Sequence, residues 1–238
     1  MVKPIAMRSL HNQVIQELGR QIVSGELEAG KSLPREELLA EHMSVSRTAL
    51  REAMKVLSAK GLIESRQKTG TRVREERYWN QLDADVLAWR CASMPTDDFV
   101  AKLVEMREII EPAAAAAAAR RRTPEQLAAI EEARDAMAAA EDLDAWTEAD
   151  LAFHESLLQA TGNELMASLF SVIHTALGAY FELSARHADD FKTSLPTHIK
   201  LCEAIRRRQP EVARQTMIKM VADSRSNIHR RRRPRKAS

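Results

Sequence analysis

The stretch that most constrains this chain is Leu33 to Arg66, where two short apolar-periodic runs sit on either side of a tight, polar break. In LPREELLAEHM (Leu33 to Met43), Leu38, Leu39 and His42/Met43 mark one apolar side of a short helix. In SVSRTALREAMKVLSAKGLIESR (Ser44 to Arg66), Leu50, Ala53, Met54 and Leu57 recur at helical spacing and predict a buried face. Ser46 precedes that run as a helix N-cap, its hydroxyl placed to accept from an otherwise orphaned backbone N–H. With the apolar face buried, Arg47, Thr48, Arg51 and Lys55 share the outer face. Two helices joined in this way make a helix-turn-helix, which lays its second helix in the DNA major groove. Arg47 and Arg51 at its N-terminal end suit bidentate contacts to guanine, with Thr48 and Lys55 placed for phosphates. Taken alone, the same pattern also suits an ordinary solvated helix face.

The flanks add to the pattern. Ile63 to Arg66 and Thr71 to Arg74 read as two strands around Gln67-Lys68-Thr69-Gly70, a hairpin turn with a basic tip. Upstream, Val14, Leu18 and Ile22 define an amphipathic helix over about residues 9–24, which ends in a glycine-punctuated turn. From Ile22 to Val73 the chain resembles the winged-helix domain of the GntR family of bacterial transcription regulators. The likeness is carried by the order I-V-S-G-E-L-E-A-G-K-S-L-P, then L-L-A, V-S-R and L-R-E-A-M. It implies operator DNA as partner and a DNA-contacting set of Arg35, Arg47, Thr48, Arg51, Lys55, Lys68 and Gly70. Arg35 stands where the family usually has Ser, and Glu37 where it often has a DNA-contacting Arg.

Charge divides the chain in the same sense. Residues 1–76 carry 13 Lys/Arg against 10 Asp/Glu, residues 77–228 carry 17 against 24, and the last ten add six basic groups and no acid. A DNA-facing head, an acidic body and a basic tail follow from that distribution. The expected organisation is a winged helix-turn-helix over 1–76, a linker helix over 77–95 in which Leu82, Val86 and Trp89 share a face, an all-α domain over 96–229, and a disordered basic tail over 230–238. Aromatic residues make up only 4% of the chain, against a hydrophobic share of 45%, which favours helices over a β-sandwich. The sequence lacks an 18-residue apolar run and a secretory leader, and Cys91 and Cys202 match no metal or redox spacing. A cytoplasmic, membrane-free protein is the expectation.

From Thr96 onward only helical patterns occur, over about 97–121, 123–141, 144–161, 164–187, 190–208 and 210–229. Thr123-Pro124-Glu125 is an N-terminal cap signature, and Pro112 falls inside the first pattern and is expected to kink it. Asp150 and His154, four apart, project from one helix face, and His198 lies on another helix. An Asp-x-x-x-His pair with a distant His suits a first-row divalent metal; on the residues alone, a hydrogen-bonded Asp–His pair beside an unrelated His is the favoured reading. Three segments resemble the helical (FCD-type) effector domain of the fatty-acid-regulator-like branch of the GntR family: EMREIIEPAAAAAAA (Glu105 to Ala119), EADLAFHESLLQATGN (Glu148 to Asn163) and THIKLCEAI (Thr197 to Ile205). The resemblance implies Asp150, His154 and His198 as metal ligands, for zinc first and for nickel or manganese otherwise. Met220 occupies the last-helix position of the branch's fourth ligand. It is too soft to count, which either leaves a coordination position for water or for an effector or marks a protein that has lost the metal. Arg107, Asn163 and Met220 are the residues this resemblance assigns to the effector; for Arg107 the alternative is an i,i+4 pair with Glu111.

The segment Trp79 to Arg90 resembles the linker of sugar-acid regulators, which implies a small carboxylate effector such as D-galactonate. The expected protein is a homodimeric repressor on a pseudo-palindromic operator, not an enzyme. The competing expectations are an acyl-CoA-sensing regulator and a metal-dependent hydrolase fused to a DNA-binding module, in which the same three ligands would activate water.

Overall fold

The computed structural model describes residues 6–66, 70–93, 97–184 and 191–232. The chain divides into two compact units, Met1–Pro95 and Thr96–Ser238. The first contains α1 (Ala6–Val23), α2 (Glu36–His42), α3 (Arg47–Ala59), β1 (Ile63–Arg66), β2 (Gly70–Val73) and α4 (Ala84–Ser93). Ser46 starts α3 as the sequence predicts: its backbone is extended, and its Oγ accepts from the Ala49 N–H at 3.1 Å. Leu50, Ala53 and Leu57 are fully buried against Val14, Leu18 and Ile22 of α1. Leu62, Ile63 and Val73 close that core from the hairpin. Each such side chain withdrawn from water contributes about 1.5–3 kcal/mol, so this interlock outweighs any propensity difference in the short helices.

The turn from α3 into β1 depends on Gly61. Its φ is +78°, and an added Cβ would lie 2.2 Å from the Tyr78 carbonyl oxygen. β1 and β2 pair antiparallel, with Ile63 opposite Val73 and Arg66 opposite Gly70. A rung missing from the sequence reading joins them: Ser32 bridges Arg72, and the Leu33 N–H donates to the Thr71 carbonyl at 2.8 Å. Two expectations need correction. Leu38 is 59% exposed while Leu39 and Ala40 are buried, because a helix this short turns only one narrow face to the core. Leu82 precedes α4 and is half exposed, whereas Val86, Leu87 and Trp89 are buried. Lys68, at the expected wing tip, lies outside the described residues.

The second unit is all helix among its described residues: α5 (Asp97–Arg121), α6 (Pro124–Ala139), α7 (Leu143–Gln159), α8 (Glu164–Ala167), α9 (Phe170–Ser184), α10 (Leu195–Arg206) and α11 (Pro210–Arg232). The expected architecture, mainly α with a winged helix-turn-helix followed by an all-α bundle, is what the chain adopts. Thr123 and Gln126 form the full capping box that starts α6. Ala114 to Ala119 are all buried, and their small side chains let α5 and α11 pack closely along each other. α5 continues as helix through Pro112.

The expected single helix over 164–187 is broken. The backbone tightens at Ser168 and Leu169 into i→i+3 bonds, Leu169 N to Met166 O and Val172 N to Leu169 O, both at 3.1 Å. The pattern expected from 190 begins as helix only at Leu195. Residues 191–194 form a tighter turn, with the Leu195 N–H donating to the Lys192 carbonyl at 3.0 Å, and Pro196 sits in the first helical turn, where its missing N–H costs nothing. At the other end α11 runs on to Arg232, into the stretch expected to be disordered; the rest of the basic tail lies outside the described residues. No helix among the described residues is long and apolar enough to cross a membrane.

Candidate nucleic-acid interface and candidate metal centre

On α3 the side chains of Arg47, Thr48, Arg51 and Lys55 are all exposed, opposite the buried Leu50–Leu57 stripe. They are not idle. Arg51 Nε donates to Glu36 Oε2 at 2.7 Å, and Arg47 Nη1 lies 3.4 Å from Glu37 Oε1. Lys55 Nζ donates to Glu52 Oε1 at 2.7 Å. Exposed pairs of this kind are worth about 0–1 kcal/mol each, so a phosphate or a guanine edge can replace the acid. The Glu36–Arg51 and Glu37–Arg47 pairs cross from α2 to α3 and could not be read from spacing along one helix. Arg35 is exposed and occupies the N-cap position of α2. Gly70 opens β2 with φ +79°, a conformation a residue with a Cβ adopts only under strain. Arg72 of the same hairpin pairs with Glu64.

In the second unit α7 and α10 bring Asp150, His154 and His198 together, all buried, with one ligand atom from each lying within 4.8 Å of the others. His198 Nε2 is 3.1 Å from Asp150 Oδ1, and His154 Nε2 is 3.8 Å from Asp150 Oδ2. Ligand atoms around one tetrahedral zinc stand about 3.3 Å apart, so both separations fit a shared ion. Phe153 and Trp146 wall the site, their rings edge-on to His198 at centroid distances of 5.1 and 6.3 Å. On the far side of its ring, His198 Nδ1 lies 2.9 Å from the Ser194 carbonyl oxygen. In the neutral ring that bond takes the proton on Nδ1, so that Nε2 is the nitrogen left for an ion.

Sequence reading missed Glu111 as part of this centre. It is buried, Arg107 Nε donates to its Oε1, and its Oε2 lies 3.0 Å from His154 Nδ1. Its position four residues after Arg107 was the only local signal. Arg107 is also buried, with Nη1 3.5 Å from Ser224 Oγ of α11. Met220 is buried one turn before Ser224. Asn163 lies apart: its Oδ1 caps α8 by accepting from Leu165 N and Met166 N, beyond the end of α7. That end is about 7 Å along the axis from His154.

The donor set fits a divalent cation on two grounds. Asp150 Oδ2 and His198 Nε2, which face the shared position, are buried without a hydrogen-bond partner; His154 Nδ1, turned instead to Glu111, also lacks a well-aligned one. In addition, Arg107, Glu111 and Asp150 sum to −1 when both imidazoles are neutral, and an uncompensated buried charge is costly. Without an ion, the local electrostatics favour charge on His154 between the two carboxylates. Burial pushes the Glu111 carboxyl up, but Arg107 and His154 outweigh it and hold it at about 2. Burial likewise opposes ionisation of Asp150, and the His198 and His154 imidazoles more than reverse it. His154 is raised although burial lowers it, because Glu111 and Asp150 flank its ring.

Comparison with known proteins gives the context for both sites. Residues 10–73 match the family described as bacterial regulatory proteins, gntR family, and residues 102–223 match the FCD domain. The galactonate operon transcriptional repressor of Escherichia coli K12 is 35% identical over 90% of this chain and 94% of its own length. An uncharacterised helix-turn-helix regulator of the same organism, YieP, is 34% identical over 74% of this chain and 78% of its own. Among solved structures, the Listeria monocytogenes regulator Lar aligns with a TM-score of 0.64 at 22% identity, covering 97% of this chain and 99% of that one, which speaks for the fold. The chain belongs to the GntR family of bacterial regulatory proteins, in its FCD-domain form, and is a DNA-binding transcriptional regulator rather than an enzyme.

Proposed function

We propose that this protein is a homodimeric, ligand-responsive repressor. Its winged domains bind a pseudo-palindromic operator through Arg35, Arg47, Thr48, Arg51, Lys55 and the wing residues Lys68 and Gly70. A small carboxylate, D-galactonate or a close sugar acid, binds in the helical domain and releases the DNA. Asp150, His154 and His198 would hold one divalent ion, zinc by preference, with nickel or manganese also suited to this nitrogen–oxygen set. Such an ion supplies two positive charges and a chelation point for the carboxylate and α-hydroxyl of an aldonate.

The observation that carries the proposal is the buried charge count. With both imidazoles neutral, as an ion on Asp150, His154 and His198 requires, Arg107, Glu111 and Asp150 sum to −1, and a divalent ion brings the cluster to +1, which attracts a carboxylate. Arg107 contributes the fixed guanidinium in that sum, beside the ligands. Met220, buried on α11, carries no charge, and Asn163 is the more distant member of the assigned effector set. The sugar acid itself is suggested by the E. coli repressor of the galactonate operon, with which this chain shares 35% identity. Release of DNA then requires that the effector prefer one arrangement of the protein over another, since equal affinity shifts nothing.

The test is operator binding followed by fluorescence anisotropy with the zinc-loaded protein. D-galactonate is expected to dissociate the complex, and prior chelation is expected to block that response. An operator complex indifferent to galactonate and related aldonates at millimolar concentration would refute the effector assignment. Sedimentation showing monomers at micromolar concentration would refute the dimer.

A further inference from the structure

We propose that Glu111 is a positioning residue for the metal centre: it holds His154 with Nε2 turned toward Asp150 and ties that ligand to Arg107. The inference rests on the metal reading above and assigns a residue outside the ligand set. Glu111 reaches His154 from a different helix, α5 against α7, with Oε2 3.0 Å from Nδ1. The opposite nitrogen, Nε2, is the one that lies 3.8 Å from Asp150. His198 has the same arrangement built from backbone, its Nδ1 2.9 Å from the Ser194 carbonyl and its Nε2 3.1 Å from Asp150. Each imidazole therefore has an oxygen about 3 Å from Nδ1 and its Nε2 nearest the shared carboxylate. Ser194 is bonded to His198, while the Glu111 oxygen stands off the line of the His154 ring N–H and would come into line when Nε2 engages an ion. Metal-binding histidines are oriented by this kind of outer acceptor, and its loss typically lowers metal affinity ~10–100-fold.

Glu111 differs from the Ser194 carbonyl in being charged and in having a second partner. Its Oε1 accepts from Arg107 Nε, and Arg107 in turn reaches Ser224 of α11. A single buried chain of polar contacts thus runs from α11 through α5 to the ligand on α7. A carboxylate effector that engages Arg107 alters the partner of the residue that orients His154. Metal affinity and effector affinity are then coupled through Glu111, and by linkage each raises or lowers the other by the same factor.

Glu111→Gln keeps the shape of the side chain and removes the charge. In the full-length protein, zinc affinity measured by competition with a chromophoric chelator is expected to fall ~10–100-fold. Operator affinity without effector should stay within about threefold, since Glu111 lies in the other unit. If Glu111→Gln does not fold, the double variant Arg107→Gln/Glu111→Gln removes both buried charges and should show the same loss of zinc. A variant-free measurement accompanies these: nitrogen NMR of the imidazoles in the zinc-loaded wild type should show His154 protonated at Nδ1. Zinc affinity within about threefold of wild type in either variant, or a His154 proton on Nε2, would overturn the role of Glu111 alone. Failure of the wild type to take up zinc at all would overturn the metal reading and this inference with it.

Discussion

The indole of Trp89 occupies the space that a Cβ on Gly19 would need: three ring atoms lie 2.4 to 2.6 Å from that position. Around this contact α4 is fastened to the winged unit. Trp89 Nε1 donates to Gln16 Oε1 at 2.7 Å, and Lys60 reaches Asp83 at 2.8 Å and Asp85 at 2.7 Å across the start of α4. The helix expected as a linker is thus part of the core of the first unit.

Gly19→Ala sets two effects against each other. Replacing a mid-helix glycine gains up to ~1 kcal/mol of helix propensity. Overpacking a rigid aromatic costs ~1–3 kcal/mol, because the indole can only leave its site. The ring contacts are too close for a small adjustment, so net destabilisation is expected. Thermal unfolding should show a lowered midpoint for the winged unit, accompanied by a change in tryptophan emission. A midpoint equal to or above wild type would show that α4 yields without cost.

The arginines of α3 should separate base reading from charge. Arg51→Ala is expected to cost ~1–3 kcal/mol on a specific operator and to relax preference at one base pair per half-site. Equal losses on specific and random DNA would make Arg51 a phosphate contact. Glu37→Arg removes the acid 3.4 Å from Arg47 and adds a cation near the phosphates. Tightening by up to about tenfold, with a salt dependence steeper by about one charge, is the expected result. No gain in affinity would mean that α2 stays clear of the DNA backbone.

What could be read in advance follows the range of the interactions involved. Ser46, Thr123 and the Leu50–Leu57 stripe act within one or two helical turns, and each behaves as local chemistry requires. Asp150 and His154 share a face for the same reason. The contacts that escaped notice cross between elements: Ser32 to Arg72, Glu36 to Arg51, Glu111 to His154. Spacing along the chain carries no information about them, since each depends on how two elements dock. Leu38 shows the converse error, in which an apolar residue next to a buried one was assigned to the core although its helix face turns outward.

Cys202 provides a pH-dependent reporter of the helical unit. It is fully buried, and burial pushes its thiol up by more than the nearby Arg134 guanidinium lowers it. The folded protein therefore holds that proton at pH values where the unfolded chain has lost it. Stability from this group is complete below the ordinary thiol value and declines as pH rises from there toward the folded one. Cys202 should resist alkylation in the native protein at pH 8 and react on unfolding, and Cys202→Ala should flatten the alkaline decline. Rapid labelling of Cys202 under native conditions would show that the bundle opens locally.

Met220→His tests the coordination position proposed to stay open for the effector. Met220 is buried on α11, one turn before the serine that meets Arg107, so a histidine there enters the same core without crossing the unit. An imidazole adds a ligand of the type already supplied by His154 and His198, where a thioether adds a soft and weak one. Zinc should bind more tightly in the variant, and by chelator competition the difference should exceed tenfold if the fourth ligand forms at the ~1.4 kcal/mol level or better. The same change fills the place where an aldonate would chelate, so galactonate should release the operator less readily even though more metal is bound. His154→Ala should lose both zinc and effector response while operator affinity stays near wild type. If Met220→His tightens zinc and leaves galactonate release untouched, the sugar acid binds away from the ion, and the metal serves only to hold α7 and α10 together.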